Sequence, residues 1–172
     1  MSGDARVRIV PVESEAHLGE VRRLFTEYGA SLSIDLSFQN FEREIRELPG
    51  DYAPPSGCIL LALCGNEVAG CIAIRALSAL SDTICEGKRL YVRPAFRGRD
   101  VGKALKIAML REARRLGYEA FRWDSLGFMT AANALYRSLG ARNIPPYHDK
   151  VIDGMMFWEI DLTAPAAKAE TT

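Results

Sequence analysis

The stretch that most limits what this chain can fold into runs from Lys88 to Leu105, K-R-L-Y-V-R-P-A-F-R-G-R-D-V-G-K-A-L. Leu90, Tyr91 and Val92 are strand formers, Pro94 ends the run, and Val101, Ala104, Leu105 and Ala108 then recur at helical spacing. A buried strand thus passes through a basic, glycine-containing turn directly into a helix. The helix start presents backbone N–H groups that have no helical partner, together with the positive end of the dipole. Arg97, Arg99 and Lys103 add charge where acidic side chains are normally favoured, so the turn reads as the seat of a phosphate-bearing anion.

The segments on either side fix the fold class. Val7 to Val12 alternates as a strand, and His17, Leu18, Val21, Leu24, Phe25 and Tyr28 give an amphipathic helix with Ser14 as its N-cap. Phe38 to Leu48 is a shorter helix ending at Pro49-Gly50. Cys58 to Cys64 and Glu67 to Leu77 are strands turning at Gly65-Asn66. After the strand ending at Val92 come a helix from Val101 to Leu116 stopped by Gly117, a strand from Tyr118 to Trp123, a helix from Met129 to Leu139 stopped by Gly140, and one or two strands ending with Met155 to Leu162. This order predicts an α/β (α+β) domain: a mixed, mostly antiparallel sheet of six to seven strands flanked by about four helices. Residues 1–162 are expected to form a single domain, and the small, polar tail 163–172 to be disordered.

Charge is balanced overall, 22 basic against 22 acidic residues, but unevenly placed. Ten basic and two acidic residues lie between Lys88 and Arg115, whereas nine acidic and four basic ones lie between Glu13 and Asp51. Nothing global points to nucleic acid or a membrane. The four cysteines, Cys58, Cys64, Cys71 and Cys85, have no metal-site spacing and read as buried thiols. No metal is expected. The start does not read as a signal peptide, so a reducing cytoplasm is the expected location. A nucleotide-binding P-loop is a weak alternative because Gly102-Lys103 is followed by Ala104, which has no hydroxyl for a metal ion.

The turn resembles the acyl-CoA-binding motif of the GCN5-related N-acetyltransferase superfamily, (Arg/Gln)-x-x-Gly-x-(Gly/Ala). Here it reads Arg97-Gly98-Arg99-Asp100-Val101-Gly102, followed by Lys103. Asp100 stands in place of the usual glycine. It tolerates a positive φ, but its carboxylate repels phosphates, and as an N-cap it would compete for the same amides. A second piece, Met129 to Ala141, is similar to the family's Asn-x-x-Ala-x-x-x-Tyr-x-x-x-Gly-Phe helix; it retains Ala132 and Tyr136 and replaces the asparagine and phenylalanine with Met129 and Ala141. The likeness spans Val7 to Leu162.

The resemblance implies an N-acetyltransferase that uses acetyl-CoA and an amine in a direct ternary-complex transfer, as a monomer or homodimer. The backbone of Leu90, Tyr91 and Val92 would hold the pantetheine arm where this strand splays from Phe121 to Trp123. Asn133, one turn from Met129, either replaces the missing amide contact or is a surface helix polar. Tyr136 is either the acid for the departing thiolate or a core tyrosine. Glu86 is either the base or an edge charge paired with Lys88 or Arg75, and His148 reads as an exposed loop residue more than as a second base. Cys85 could carry an acyl group, but Glu86 beside it disfavours the thiolate. Glu27, Asp35, Glu42, Glu44 and Glu47 would line the acceptor side and favour a small cationic amine, with the Pro145-Pro146-Tyr147 loop closing over it. A protein lysine or N-terminus, and a non-catalytic acyl-CoA sensor, are the alternatives.

Overall fold

The computed structural model describes residues 6–32, 35 and 40–168. In chain order the elements are β1 (Val7–Pro11), α1 (Glu15–Ser31), α2 (Phe41–Arg46), β2 (Cys58–Cys64), β3 (Glu67–Ala76), β4 (Ile84–Val92), α3 (Val101–Arg115), β5 (Ala120–Leu126), α4 (Thr130–Ser138), β6 (Arg142–Ile144) and β7 (Met155–Asp161). Among the described residues they build one seven-stranded sheet of order β1-β2-β3-β4-β5-β7-β6 with four α-helices. Every pair is antiparallel except β4 with β5. That pair is parallel because α3 carries the chain back to the starting edge, the crossover that parallel strands require.

Local chemistry sets the element ends. Ser14 caps α1, its hydroxyl accepting from the His17 N–H at 3.1 Å. The α3 helix closes where the N–H groups of Gly117 and Tyr118 return to the carbonyls of Arg114 and Ala113. Two boundaries differ from the sequence reading, and both of the one or two expected closing strands are present. β5 starts at Ala120 and continues to Leu126, because β7 pairs along its whole length. The short β6 adds an edge strand. α2 begins at Phe41, and Phe38 lies outside the described residues. The tail keeps some local structure: the Thr163 N–H donates to Asp161 Oδ1 at 2.9 Å, and residues beyond 168 lie outside the described set.

The sheet buries both faces. Leu105, Met109 and Leu110 of α3 and Tyr136 of α4 pack on one side against Ile72, Phe121 and Trp158, while Val21, Leu24 and Phe25 of α1 pack on the other against Leu61 and Tyr52. β4 is the strand that organises the site. It pairs with β3 over its length, but with β5 only at Ile84↔Ala120, Cys85↔Phe121 and Glu86↔Arg122. Beyond these pairs β5 leans away toward β7. The divergence starts at Gly87, where a Cβ would stand 2.4 Å from the Phe121 ring, so the close approach of that ring requires glycine. On its other edge β4 carries an extra residue between the pairs Ala73↔Lys88 and Cys71↔Tyr91. Arg89 there takes φ 60°, a β-bulge that turns Lys88 and Arg89 into the site.

Candidate active site

The basic turn takes the conformation that its sequence requires. Past Val92 the chain makes a single 3-10 turn, Gly98 and Asp100 adopt φ of 73° and 57°, and α3 begins. The first helical bond runs from the Ala104 N–H to the Asp100 carbonyl at 2.9 Å, so the N–H groups of Val101, Gly102 and Lys103 precede the ladder. Asp100 occupies the N-cap in the left-handed region, yet its carboxylate makes no capping bond. The expected competition for these amides therefore does not occur. A Cβ on Gly102 would meet only Val92 Cγ2 at 3.7 Å, leaving open space outside the helix start for a ligand. Arg97 donates from Nε to the Val92 carbonyl at 3.0 Å, clipping the turn to the strand, and Arg99 lies over the Phe96 ring. No carboxylate among the described residues pairs with Arg97, Arg99 or Lys103. By contrast, Arg93 nearby is held by both oxygens of Glu27 at 2.8 to 3.2 Å.

The gap between β4 and β5 holds a cleft of about 60 Å³ lined by Lys88, Arg89, Leu90, Lys106, Trp123, Asp124 and Tyr136. Leu90 faces this gap. Tyr91 packs instead against the Tyr28 ring in the core cluster of α1. Tyr136 is 5% exposed, packs edge-on to Trp123 at 4.9 Å between centroids, and leaves its hydroxyl without a bond among the described residues. Burial pushes its phenol pKa well up. Asn133 is neither a surface polar nor a lining residue. It is buried, accepts from Ser125 Oγ at 2.7 Å and donates to the Leu126 carbonyl at 3.1 Å, while the Trp158 indole N–H reaches the same Ser125 hydroxyl at 2.8 Å. Its amide, expected to meet the cofactor, here ties α4 to the end of β5. Burial pushes the Cys85 thiol up to about 12, against its use as a nucleophile.

On the other face lies a cavity of about 640 Å³. Glu86, 1% exposed, forms its floor with both oxygens engaged: Oε2 by Arg75 Nε at 3.0 Å and Nη2 at 2.9 Å, Oε1 by the Tyr147 hydroxyl at 3.1 Å and by Lys88 Nζ at 3.7 Å. Tyr147, which follows Pro145-Pro146, reaches this floor through its hydroxyl. The same loop carries His148, which is not free in solvent: its Nε2 is 3.2 Å from Asp124 Oδ2, its ring packs on Phe157, and its Nδ1 is buried without a partner. Burial alone would raise the Asp124 carboxyl, but the His148 bond and the Lys88 ammonium outweigh it and hold the group below its usual range. Glu86, Asp124 and His148 come within 4.8 Å of one another, and Lys88 Nζ stands 3.7 Å from both carboxylates.

Sequence reasoning undervalued His148 and missed Asp124; the alternation of β5, which sends Asp124 and Arg122 to the face opposite Trp123, was the available signal. The acidic residues of the first region are largely spent. Glu44 takes Arg89 in two bonds of 2.9 and 2.7 Å, Glu47 takes Arg43 at 2.9 Å, and Glu27 takes Arg93. The cavity is lined by five cations, Arg43, Arg75, Lys88, Arg89 and Lys150, and five anions, Glu44, Glu47, Asp51, Glu86 and Asp149.

A parallel pair that opens like a V, with a basic helix start at its mouth, marks the acyl-CoA N-acetyltransferase class. Residues 20–141 match the model of the Acetyltransferase (GNAT) family, and the chain belongs to that family. It is 30% identical over 164 residues to an uncharacterized N-acetyltransferase of Schizosaccharomyces pombe, covering 95% of this chain and 99% of that protein. Human N-acetylaspartate synthetase is 33% identical over 102 residues, 59% of this chain and 33% of its own length. A Salmonella typhimurium acetyltransferase solved with its cofactor acetyl-CoA shares the fold, with a TM-score of 0.66, 19% identity, and coverage of 91% of this chain and 94% of that one.

Proposed function

We propose that this chain moves an acetyl group from acetyl-CoA to the primary amine of a small molecule, directly and in a ternary complex. The observation that carries the reading is the meeting of two clefts: the β4–β5 gap and the larger cavity share Lys88 and Arg89 at the bulge of β4. A thioester entering from the basic turn and an amine entering from the cavity would meet there. The open N–H groups at Val101, Gly102 and Lys103, with Arg97, Arg99 and Lys103, suit the pyrophosphate. The β4 backbone edge at Leu90 to Val92, unpaired toward β5, suits the pantetheine amides.

The attacking amine must be neutral. For an amine of pKa ~10.4, deprotonation at pH 7 costs about 4.6 kcal/mol, so a base must be within reach. Glu86 is a poor choice because three groups already occupy its oxygens. His148 fits better: it lines the cavity and is paired through Nε2 with the Asp124 carboxylate, an arrangement that favours taking up a proton. Tyr136 faces the sulfur end of the cleft. Its raised pKa makes full proton transfer costly, so its role is a hydrogen bond to the departing thiolate.

The acceptor's charge follows from the lining. With Glu27, Glu44 and Glu47 paired, and cations and anions equal along its lining, the cavity carries no surplus of negative charge that would select a cationic amine. A zwitterionic acceptor of the amino-acid class suits a balanced lining better, in line with the product named by N-acetylaspartate synthetase. The loop over the floor favours a small molecule over a protein chain. A thermal-shift titration with acetyl-CoA, followed by an amine panel of amino acids and polyamines read by CoA release, tests both levels. Binding without turnover on any amine would favour an acyl-CoA sensor.

A further inference from the structure

Lys106 sits on the inner face of α3, three residues beyond Lys103, and is 2% exposed. Its Nζ rests 3.4 Å from the Trp123 ring centroid, 4.4 Å from Phe121 and 5.0 Å from Tyr136. Among the described residues it has no hydrogen bond and no carboxylate partner. Ring faces attract an ammonium, but by less than a fully buried ammonium loses in hydration. Burial therefore drives this amine far below the ordinary lysine range, toward the neutral and nucleophilic form. Trp123 Nε1 beside it is also buried without a partner. Lys106 and Tyr136, whose side chains have no protein hydrogen-bond partner among the described residues, thus meet the orphaned Trp123 N–H at the wall of one cleft.

We infer that Lys106 is itself an acyl acceptor, taking the acetyl group onto Nζ when acetyl-CoA occupies the cleft and no amine fills the cavity. This rests on the acetyl-CoA reading above. The Nζ lone pair forms a C–N bond to the thioester carbonyl carbon, the C–S bond breaks, and the proton lost from Nζ passes to the CoA thiolate, by way of the Tyr136 hydroxyl or directly. No further reactant is needed. The product amide is uncharged, which suits the ring-lined pocket. It also stays, because an amide does not return its acyl group as a thioester would. In a cleft of about 60 Å³ the added acetyl group occupies the room of the incoming one, so the reaction limits the enzyme that performs it.

The test is incubation of the full chain with acetyl-labelled acetyl-CoA and no amine, followed by intact mass, peptide mapping and a melting curve. The expected result is at most one acetyl group per chain, on Lys106, retained in Cys85→Ala, absent in Lys106→Met, and accompanied by a proportional loss of later transferase rate. A melting shift with acetyl-CoA but no label overturns the inference alone, as does label that accumulates equally on the exposed Lys150 and Lys168. Neither shift nor label removes the acetyl-CoA reading and this inference together. If Lys106→Met fails to fold, mapping of the parent and of Cys85→Ala decides the question.

Discussion

His148 reaches Asp124 from 24 residues further along the chain, placing Nε2 3.2 Å from Oδ2 on the cavity side of the opened strand pair. The contact orients the ring, with Nδ1 turned into the protein. If His148 takes the amine proton, His148→Ala lowers kcat by about 10²- to 10⁴-fold, the usual worth of a positioned base, with the acetyl-CoA KM little changed. Asp124→Asn also lowers kcat. Glu86→Gln acts chiefly on stability, because it loosens Arg75 and Tyr147. Steady-state kinetics on the three variants checks this; a larger kcat loss in Glu86→Gln than in His148→Ala would return the base role to Glu86.

Glu44 and Arg89 join α2 to the bulge of β4, with Arg89 also 4.7 Å above the Phe41 ring. Burial alone would raise the Glu44 carboxyl, but the Arg89 bonds outweigh it and hold it low. A folded-state value below the unfolded one means the stabilisation is complete above the ordinary glutamate value of ~4.3 and is lost as pH falls through the lower, folded value. Glu44→Gln strands a buried guanidinium and is expected to destabilise the fold by about 3 kcal/mol at neutral pH. Urea unfolding of parent and variant at several pH values should show the two curves converging only below pH ~4.

Much of this architecture was legible in the sequence because it rests on local chemistry. Ser14, Gly117 and the apolar periods of β2 and α3 depend on neighbours a few residues away, and Asp100 kept the left-handed geometry that its side chain tolerates. What stayed hidden depends on partners far apart in the chain. Glu44 finds Arg89 across 45 residues, and Tyr147 finds Glu86 across 61. Asn133 looked like a surface polar because the spacing of α4 does not reveal that Ser125 lies beneath it. A count of acidic residues likewise could not show that Arg89, Arg93 and Arg43 neutralise them.

Asp100 makes no capping bond, so its charge is the main thing it brings to the turn. Asp100→Asn keeps a side chain that tolerates the left-handed region and removes the repulsion toward phosphates. The expected result is tighter CoA binding by calorimetry, with a stability loss of about 0.5 kcal/mol from the weakened helix-dipole interaction. Unchanged or weaker binding would show that the carboxylate points away from the phosphates.

Tyr136→Phe removes the hydroxyl while keeping the ring contacts with Trp123 and Trp158. A lost hydrogen bond to a charged sulfur is worth about 1.5 to 3 kcal/mol, roughly a 10- to 150-fold fall in kcat, with the melting temperature nearly unchanged. An unaltered kcat would make Tyr136 a packing residue only.

The most direct test of the account is CoA thiol release by the purified chain, followed with acetyl-CoA present and a panel of small primary amines added one at a time. The expected release requires both acetyl-CoA and an amine, saturates in each, and leaves the acetyl group on the amine nitrogen. Tight acetyl-CoA binding with no amine-dependent release across amino acids, polyamines and peptides would contradict it.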